Sequence, residues 1–255
     1  RDMKSLSVFS MCLNEIHFIE LYLRSNLRFA DEVVIVDGGS TDGTVDILAD
    51  YAARYPGRVI YEVIPQVGRP YSRDWDTGFR RQRCLDRCHS DFAMRLDVDE
   101  LVSDKFIEQI PVLLDDAGNE YSLSFNFVNF WRDWHTVRIN HPTNNGQGGW
   151  EGLRTLIWPN TGKVSYPDNY HHSPEYGLWN YKYGSCADID VYHLHYASKV
   201  FLKPNDNRRG DLHCYDNDFS NPDWEGAQLT AYQIALREFA GEYPAILKES
   251  GLLEV

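Results

Sequence analysis

Glu32-Val-Val-Ile-Val-Asp37 restricts the fold of this chain more than any other stretch. A nearly continuous apolar run, closed by a carboxylate and two glycines, reads as a strand buried on both faces, the environment of a parallel sheet covered by helices. Leu6 to Met11 before it and Val59 to Val63 after it read as further strands. Between them, Ile16, Ile19, Leu23 and Leu27 recur at helical spacing, and Val45, Leu48, Ala49 and Ala52 mark a second amphipathic helix that stops before Pro56. Strand, helix, strand, helix, strand is the order of an α/β sheet with right-handed crossovers. Ligands of such sheets collect at the carboxyl ends of the strands, where Asn14, Asp37 and the pair Asp97/Asp99 all fall.

The acidic pair closes the run Phe92-Ala-Met-Arg-Leu-Asp97-Val-Asp99-Glu100. In an extended backbone residues two apart project to the same side. Two hard oxygen donors there suit Mg²⁺ or Mn²⁺, which take few protein ligands and leave positions for phosphate oxygens. Taken alone, such a pair is more often a solvated acidic turn; what lies upstream changes the balance. Arg69, Arg73, Arg80, Arg81, Arg83 and Arg87 crowd the segment before this strand, a positive spot suited to a diphosphate. Arg83 and Arg87 read first as a solvated helix face, whereas Arg81 is weighed evenly as an oxyanion ligand.

Composition removes several classes. The formal net charge of −13 argues against general nucleic-acid binding. Five scattered cysteines without a repeated Cys-x-x-Cys argue against a disulfide framework or a zinc site, and suit a reducing, cytoplasmic setting. No run of 18 apolar residues is present, so any membrane association is expected to be peripheral. The chain begins with Arg1 rather than Met, which leaves a longer parent protein open.

The second half is aromatic and less regular. After a helix carrying Phe106, Ile107, Ile110, Leu113 and Leu114, the span Tyr121 to Trp134 alternates apolar and polar residues, and Leu153 to Trp158 reads as another strand. His141 to Gly149 is a Gly/Asn loop of the kind that forms a lid, and Pro167 to Tyr183 contains His171-His172-Ser173-Pro174-Glu175. Asp188 to Tyr196 reads as a late strand with His193 and His195 on one face. Beyond a polar loop, Trp224 to Phe239 and Pro244 to Leu253 read as two helices, packed on the core or on a second copy as a homodimer.

Ser10-Met-Cys-Leu-Asn14-Glu15, Ala30-Asp-Glu-Val-Val-Ile-Val-Asp37-Gly-Gly-Ser-Thr-Asp42-Gly-Thr and Leu96-Asp97-Val-Asp99-Glu100, in this order and spacing, resemble the family 2 glycosyltransferases of GT-A fold. The likeness is to the short single-domain members, such as the sugar transferases of lipopolysaccharide cores, and covers about the first hundred residues. Gln82 departs from it, because Arg81 is followed there by Asn in such enzymes. The resemblance implies a Rossmann-like, mostly parallel sheet flanked by helices, with a smaller acceptor-side β region and C-terminal helices. On this reading residues 1–203 are the catalytic domain, split into a nucleotide-binding half (1–115) and an acceptor half (116–203), and residues 204–255 are a helical appendage.

The implied activity is metal-dependent, inverting transfer of a sugar from a nucleotide diphosphate, UDP above all, to a hydroxyl of a glycan or glycolipid. Asp37 would meet the nucleobase, with Asn14, Glu15 and Arg81 beside the donor. Asp97 would lie near the ribose and metal-bound water, and Asp99 would hold Mn²⁺ or Mg²⁺ against the diphosphate. His193 or His195 would complete the metal site. Glu175, Glu151 and Asp168 are the candidates for the general base, and Trp150, Tyr176 and Trp179 for an acceptor platform. A nucleotidyltransferase acting on sugar phosphates, or a binding domain that keeps the fold without catalysis, are the alternatives.

Overall fold

The computed structural model describes residues 3–67, 76–139, 152–167, 175–198 and 236–254. They divide into two compact units, each discontinuous in sequence: 1–99, 105–124 and 155–186 form the first, and 100–104, 125–154 and 187–255 the second.

The first unit holds the expected parallel sheet. β1 (Leu6–Cys12), β2 (Glu32–Asp37), β3 (Val59–Val63) and β4 (Phe92–Arg95) lie in the order β4-β1-β2-β3, all parallel. β8 (Gly152–Pro159) is added antiparallel outside β4, with Met94 opposite Ile157. Residues 33–36 of β2 are completely buried, as their unbroken apolar sequence requires. α1 (Ile19–Asn26), α2 (Thr44–Arg54) and α3 (Thr77–Leu85) follow β1, β2 and β3 in turn. α2 buries Thr44, Leu48 and Tyr51, while Ala49, expected inside, is exposed. The buried stripe runs through Leu48 toward Tyr51 on its other flank.

Under α3 and β8 lies a core of Phe9, Val34, Val36, Cys84, Leu85, Trp158, Val164, Tyr166 and Tyr181. Phe9 meets Trp158 edge-on at a centroid distance of 5.9 Å. Burial of each such aromatic stabilises the fold by roughly 1.5–3 kcal/mol. Both tyrosines come from beyond residue 160, so the later sequence helps to build the core of the first unit.

β4 ends at Arg95, two residues short of Asp97, and Val98–Asp99 form a turn. The expected extended run through both carboxylates is thus interrupted. Burial still alternates, with Leu96 at 1% and Val98 at 4% exposure and Arg95, Asp97 and Asp99 half-buried between them. The chain re-enters a strand at once, β5 (Glu100–Val102), which apolar periodicity could not reveal in three residues; α4 (Asp104–Ala117) follows.

In the second unit β5 pairs antiparallel with the end of β9 (Lys182–His193), Glu100 opposite His193. β6 (Tyr121–Trp131) turns at Arg132, whose φ is 71°, into β7 (Asp133–Arg138). β10 (Leu236–Glu238) pairs antiparallel with β7, so this end of the expected Trp224–Phe239 helix is a strand, and residues 224–235 lie outside the described residues. The last expected helix is present as α5 (Ala245–Glu249), whose first N–H donates to Asp104 Oδ2 at 2.7 Å. His193 closes β9 and His195 stands in the turn beyond, so the strand ends between the two histidines, while their rings remain on the same side. No described helix is long and apolar enough to cross a membrane.

Candidate functional site

Asn14 and Asp37 stand just beyond and at the ends of β1 and β2, which are adjacent and in register, Cys12 opposite Asp37. The two following loops are tied together by side chains. Asn14 takes a left-handed φ of 55°, which asparagine tolerates better than most residues. Its N–H donates to Ser40 Oγ at 2.7 Å, and its Oδ1 accepts the Thr41 N–H at 2.9 Å. The Glu15 N–H donates to Thr44 Oγ1 at 2.9 Å and the Ile16 N–H to Asp42 Oδ2 at 3.0 Å. Asp42 also accepts from the N–H and hydroxyl of Thr44. Burial pushes the Asp42 carboxyl up, but the Thr44 and Ile16 donors outweigh it and leave its pKa lowered.

Asp37 itself is fully buried. Its Oδ1 accepts the N–H groups of Gly39 (2.8 Å) and Ser40 (2.7 Å), and its Oδ2 accepts the Ser40 hydroxyl (2.5 Å) and the Cys12 thiol (3.2 Å). Four donors fill the acceptor positions of the carboxylate. The residue read as a nucleobase contact thereby also builds the turn after β2. Beneath that turn lies Arg80, 2% exposed, with Nε 3.1 Å from Asp76 Oδ1 and Nη2 3.2 Å from Gln66 Oε1. A Cβ on Gly38 would stand 2.5 Å from Arg80 Nη1, so glycine here is the space the guanidinium occupies. Sequence reading favoured Arg81 and passed over Arg80; the available signal was the glycine pair, read only as a turn. Arg81 is also buried on α3, at 9% exposure. Arg83 and Arg87 pair with Glu62 and are 40% and 32% exposed, the solvated-face reading. Arg69 and Arg73 lie outside the described residues.

The stretch carrying Asp97 and Asp99 is held from below by Tyr22, whose hydroxyl donates to the Leu96 carbonyl at 3.0 Å. Two half-buried carboxylates at a strand end are hard, anionic donors that fit Mg²⁺ or Mn²⁺ chemically. Among the described residues no group of three or more His, Cys, Asp or Glu side chains is gathered to hold an ion. In the second unit His193 Nδ1 lies 3.1 Å from Asn129 Oδ1, a contact that orients the ring. The His193 and His195 rings are stacked at 6.3 Å, and Tyr196 meets both edge-on.

Of the candidate bases, Glu151 and Asp168 lie outside the described residues, as do Trp150, His171 and His172. Glu175 forms an ion pair with Arg95 of β4, the two side chains 14% and 19% exposed. It also accepts the Tyr166 hydroxyl at 3.2 Å. Burial, then the adjacent Glu175 carboxylate, push the Tyr166 phenol well above its usual range, so it remains a donor. The Tyr166 N–H in turn donates to Gln82 Oε1 at 2.8 Å, and Gln82 Nε2 donates to Asp86 at 2.7 Å. Gln82, the departure from the resembled motif, therefore ties α3 to the segment after β8.

Comparison with known proteins bears on this arrangement. A lipopolysaccharide core biosynthesis glycosyltransferase, LpsC of Rhizobium meliloti (strain 1021), is 36% identical over 110 residues, which are 43% of this chain and 37% of that protein. The match thus spans well under half of the curated relative. Among solved structures, residues 1–349 of S. aureus TarS give a TM-score of 0.49 at 15% identity, covering 75% of this chain and 60% of that one. The mannosyltransferase PcManGT from Pyrobaculum calidifontis, in complex with GDP-Man and Mn²⁺, gives 0.49 at 13% identity over 84% and 61%. The sequence profile of glycosyl transferase family 2 matches residues 7–172, the stretch that carries Asn14, Asp37 and the Asp97/Asp99 pair, and the chain belongs to that family.

Proposed function

We propose that this chain transfers a sugar from a nucleotide diphosphate, UDP in the first instance, to a hydroxyl of a glycan or glycolipid, with inversion at the anomeric carbon. One observation carries the reading: in one unit of a family 2 chain, the adjacent parallel strands β1, β2 and β4 lead directly into Asn14, Asp37 and the pair Asp97/Asp99. Family membership favours sugar transfer over nucleotidyl transfer.

Asp37 floors the nucleobase subsite, flanked by Asn14 and Glu15. Its weakest donor is the Cys12 thiol, and displacement of that thiol opens a lone pair for a nucleobase N–H. Arg81 faces the anionic donor. Asp97 and Asp99 would hold Mn²⁺ or Mg²⁺, with His193 or His195 as a further ligand; a divalent cation bound there supplies positive charge against the departing diphosphate. The acceptor hydroxyl gives up its proton to a carboxylate, with Glu175, Glu151 and Asp168 as the candidates. Only Glu175 lies among the described residues, and it must exchange its bond to Arg95 or Tyr166 to take that part. A single displacement needs no covalent nucleophile.

The test is a panel of UDP-, GDP- and dTDP-sugars incubated with the protein and Mn²⁺ or Mg²⁺, with free nucleotide diphosphate measured. Release from one donor, abolished by a chelator, is the expected result. No release from any donor with either ion would overturn the proposal.

A further inference from the structure

We propose that Tyr22 is a positioning residue for the cation: its hydroxyl sets the peptide plane from which Asp97 and then Asp99 follow, and with it their affinity for Mn²⁺ or Mg²⁺. The inference rests on the transferase reading above and names what holds its acidic strand end in shape. Tyr22 lies on the buried stripe of α1, where Ile19, Tyr22, Leu23 and Asn26 recur at helical spacing and none is more than 1% exposed. Its N–H donates to the Phe18 carbonyl at 2.8 Å, and its own carbonyl accepts the Asn26 side-chain amide at 2.9 Å. A phenol so enclosed needs a partner for its hydroxyl. It finds one in the Leu96 carbonyl at 3.0 Å, in a buried bond between residues 74 apart.

That carbonyl stands where the sheet lets go of the chain. The register of β1 and β4 ends with Phe9 opposite Arg95, followed by the Leu96 N–H donating to the Phe9 carbonyl at 3.3 Å. The Leu96 C=O and the Asp97 N–H belong to one planar peptide unit. A donor on the carbonyl therefore fixes the plane that leads into Asp97, immediately before the turn at Val98–Asp99. Leu96 and Val98, 1% and 4% exposed, anchor the stretch in depth, but apolar burial is non-directional and leaves the plane free to rotate. The hydrogen bond is directional and stops that rotation. Without the phenol the Leu96 carbonyl is a buried acceptor in search of another donor, and it carries the Asp97 plane with it. Mg²⁺ tolerates little departure from octahedral geometry, and partners standing behind metal ligands are worth about 10–100-fold in metal affinity.

The experiment is calorimetric titration of UDP, with and without Mn²⁺, into the whole chain as wild type, Tyr22→Phe and Tyr181→Phe. Tyr181 is the matched control: its hydroxyl donates to the Pro159 carbonyl at 2.8 Å in another buried bond, but Pro159 lies opposite Phe92, at the other end of β4. Both variants are expected to melt below the wild type. Only Tyr22→Phe is expected to lose the strengthening of UDP binding by Mn²⁺, by about tenfold. Its UDP affinity without Mn²⁺ should stay at the wild-type value, because Asp37 and Asn14 are held by bonds of their own. Hydrogen exchange on the metal-free proteins gives a second readout: the amides of residues 97–100 should exchange faster in Tyr22→Phe and at the wild-type rate in Tyr181→Phe. Full Mn²⁺ enhancement or unchanged exchange in Tyr22→Phe, or equal losses in the two variants, overturns the role of Tyr22 and leaves the cation reading standing. No enhancement in the wild type overturns the cation reading, and the role of Tyr22 falls with it.

Discussion

Gly38→Ala tests the floor of the nucleotide side. The new methyl would stand 2.5 Å from Arg80 Nη1, 3.3 Å from the Cys12 carbonyl and 3.4 Å from Leu13 Cδ1. The last two contacts yield with small shifts; the first does not. Arg80 is 2% exposed and is pinned through Nε by Asp76 and through Nη2 by Gln66, so its guanidinium has no free volume to retreat into. Overpacking of this kind destabilises by about 1–3 kcal/mol. For a chain of 255 residues that is a fall in melting midpoint of roughly 2–4 °C per kcal/mol. Because Gly38 accepts the Gln66 N–H at 2.9 Å and follows Asp37 directly, UDP affinity should fall as well. The attribution is checked with a double-mutant cycle, since sites in contact couple while independent ones add. In an Arg80→Met background, where no guanidinium is present, the alanine should add less than about 0.5 kcal/mol. Equal penalties in the two backgrounds would refute the steric argument.

Three further outcomes follow from Glu32 and Glu175. Burial pushes Glu32 up, but the Ser7 hydroxyl and the His89 backbone and ring outweigh it, so its folded pKa lies below the unfolded value of 4.5. Its contribution to stability is therefore complete above pH 4.5 and is lost as pH falls through the folded value; thermal melts from pH 7 to 3 should show Glu32→Gln less stable at pH 7 and flatter in acid, and parallel curves would contradict this. Arg95→Met leaves Glu175 without its cation in a site where both side chains are less than one-fifth exposed, and should lower stability by about 1–3 kcal/mol, between the exposed and buried limits for ion pairs. Glu175→Gln should reduce kcat at least about 100-fold with donor KM unchanged if this carboxylate takes the acceptor proton, and an unchanged kcat would move that role to Glu151 or Asp168.

What could be read from the sequence follows from physical range. β2 was legible to the residue because a strand buried on both faces is apolar nearly throughout, β3, an edge strand buried only at Val59, because Val, Ile and Tyr favour extended backbone, and α4 because four turns of amphipathic spacing leave little choice. β5 was not, since three residues carry no period. Ala49 was placed inward and Tyr51 was not, because spacing cannot say which side of a stripe a larger ring extends. The placing of Asn14, Asp37 and Asp97 near strand ends came from the order of strands and helices, while the four hydrogen bonds by which Asp37 builds its turn leave no local pattern in the sequence. Glu175 was visible as a carboxylate beside a His pair; its partners Arg95 and Tyr166 lie 80 and 9 residues away and share no local pattern with it. Gln82 stood out only as a departure from the resembled motif, with no effect legible in the sequence, and its amide proves to be the tie to Tyr166.

The proposed role of the acidic strand end is tested most directly by calorimetric titration of UDP into the protein with and without Mn²⁺, on the wild type and Asp99→Ala. Mn²⁺ should strengthen UDP binding to the wild type at least tenfold, about 1.4 kcal/mol, and should leave Asp99→Ala unchanged while its melting midpoint stays near that of the wild type. Equal enhancement by Mn²⁺ in both proteins would contradict the assignment of Asp99 to the cation.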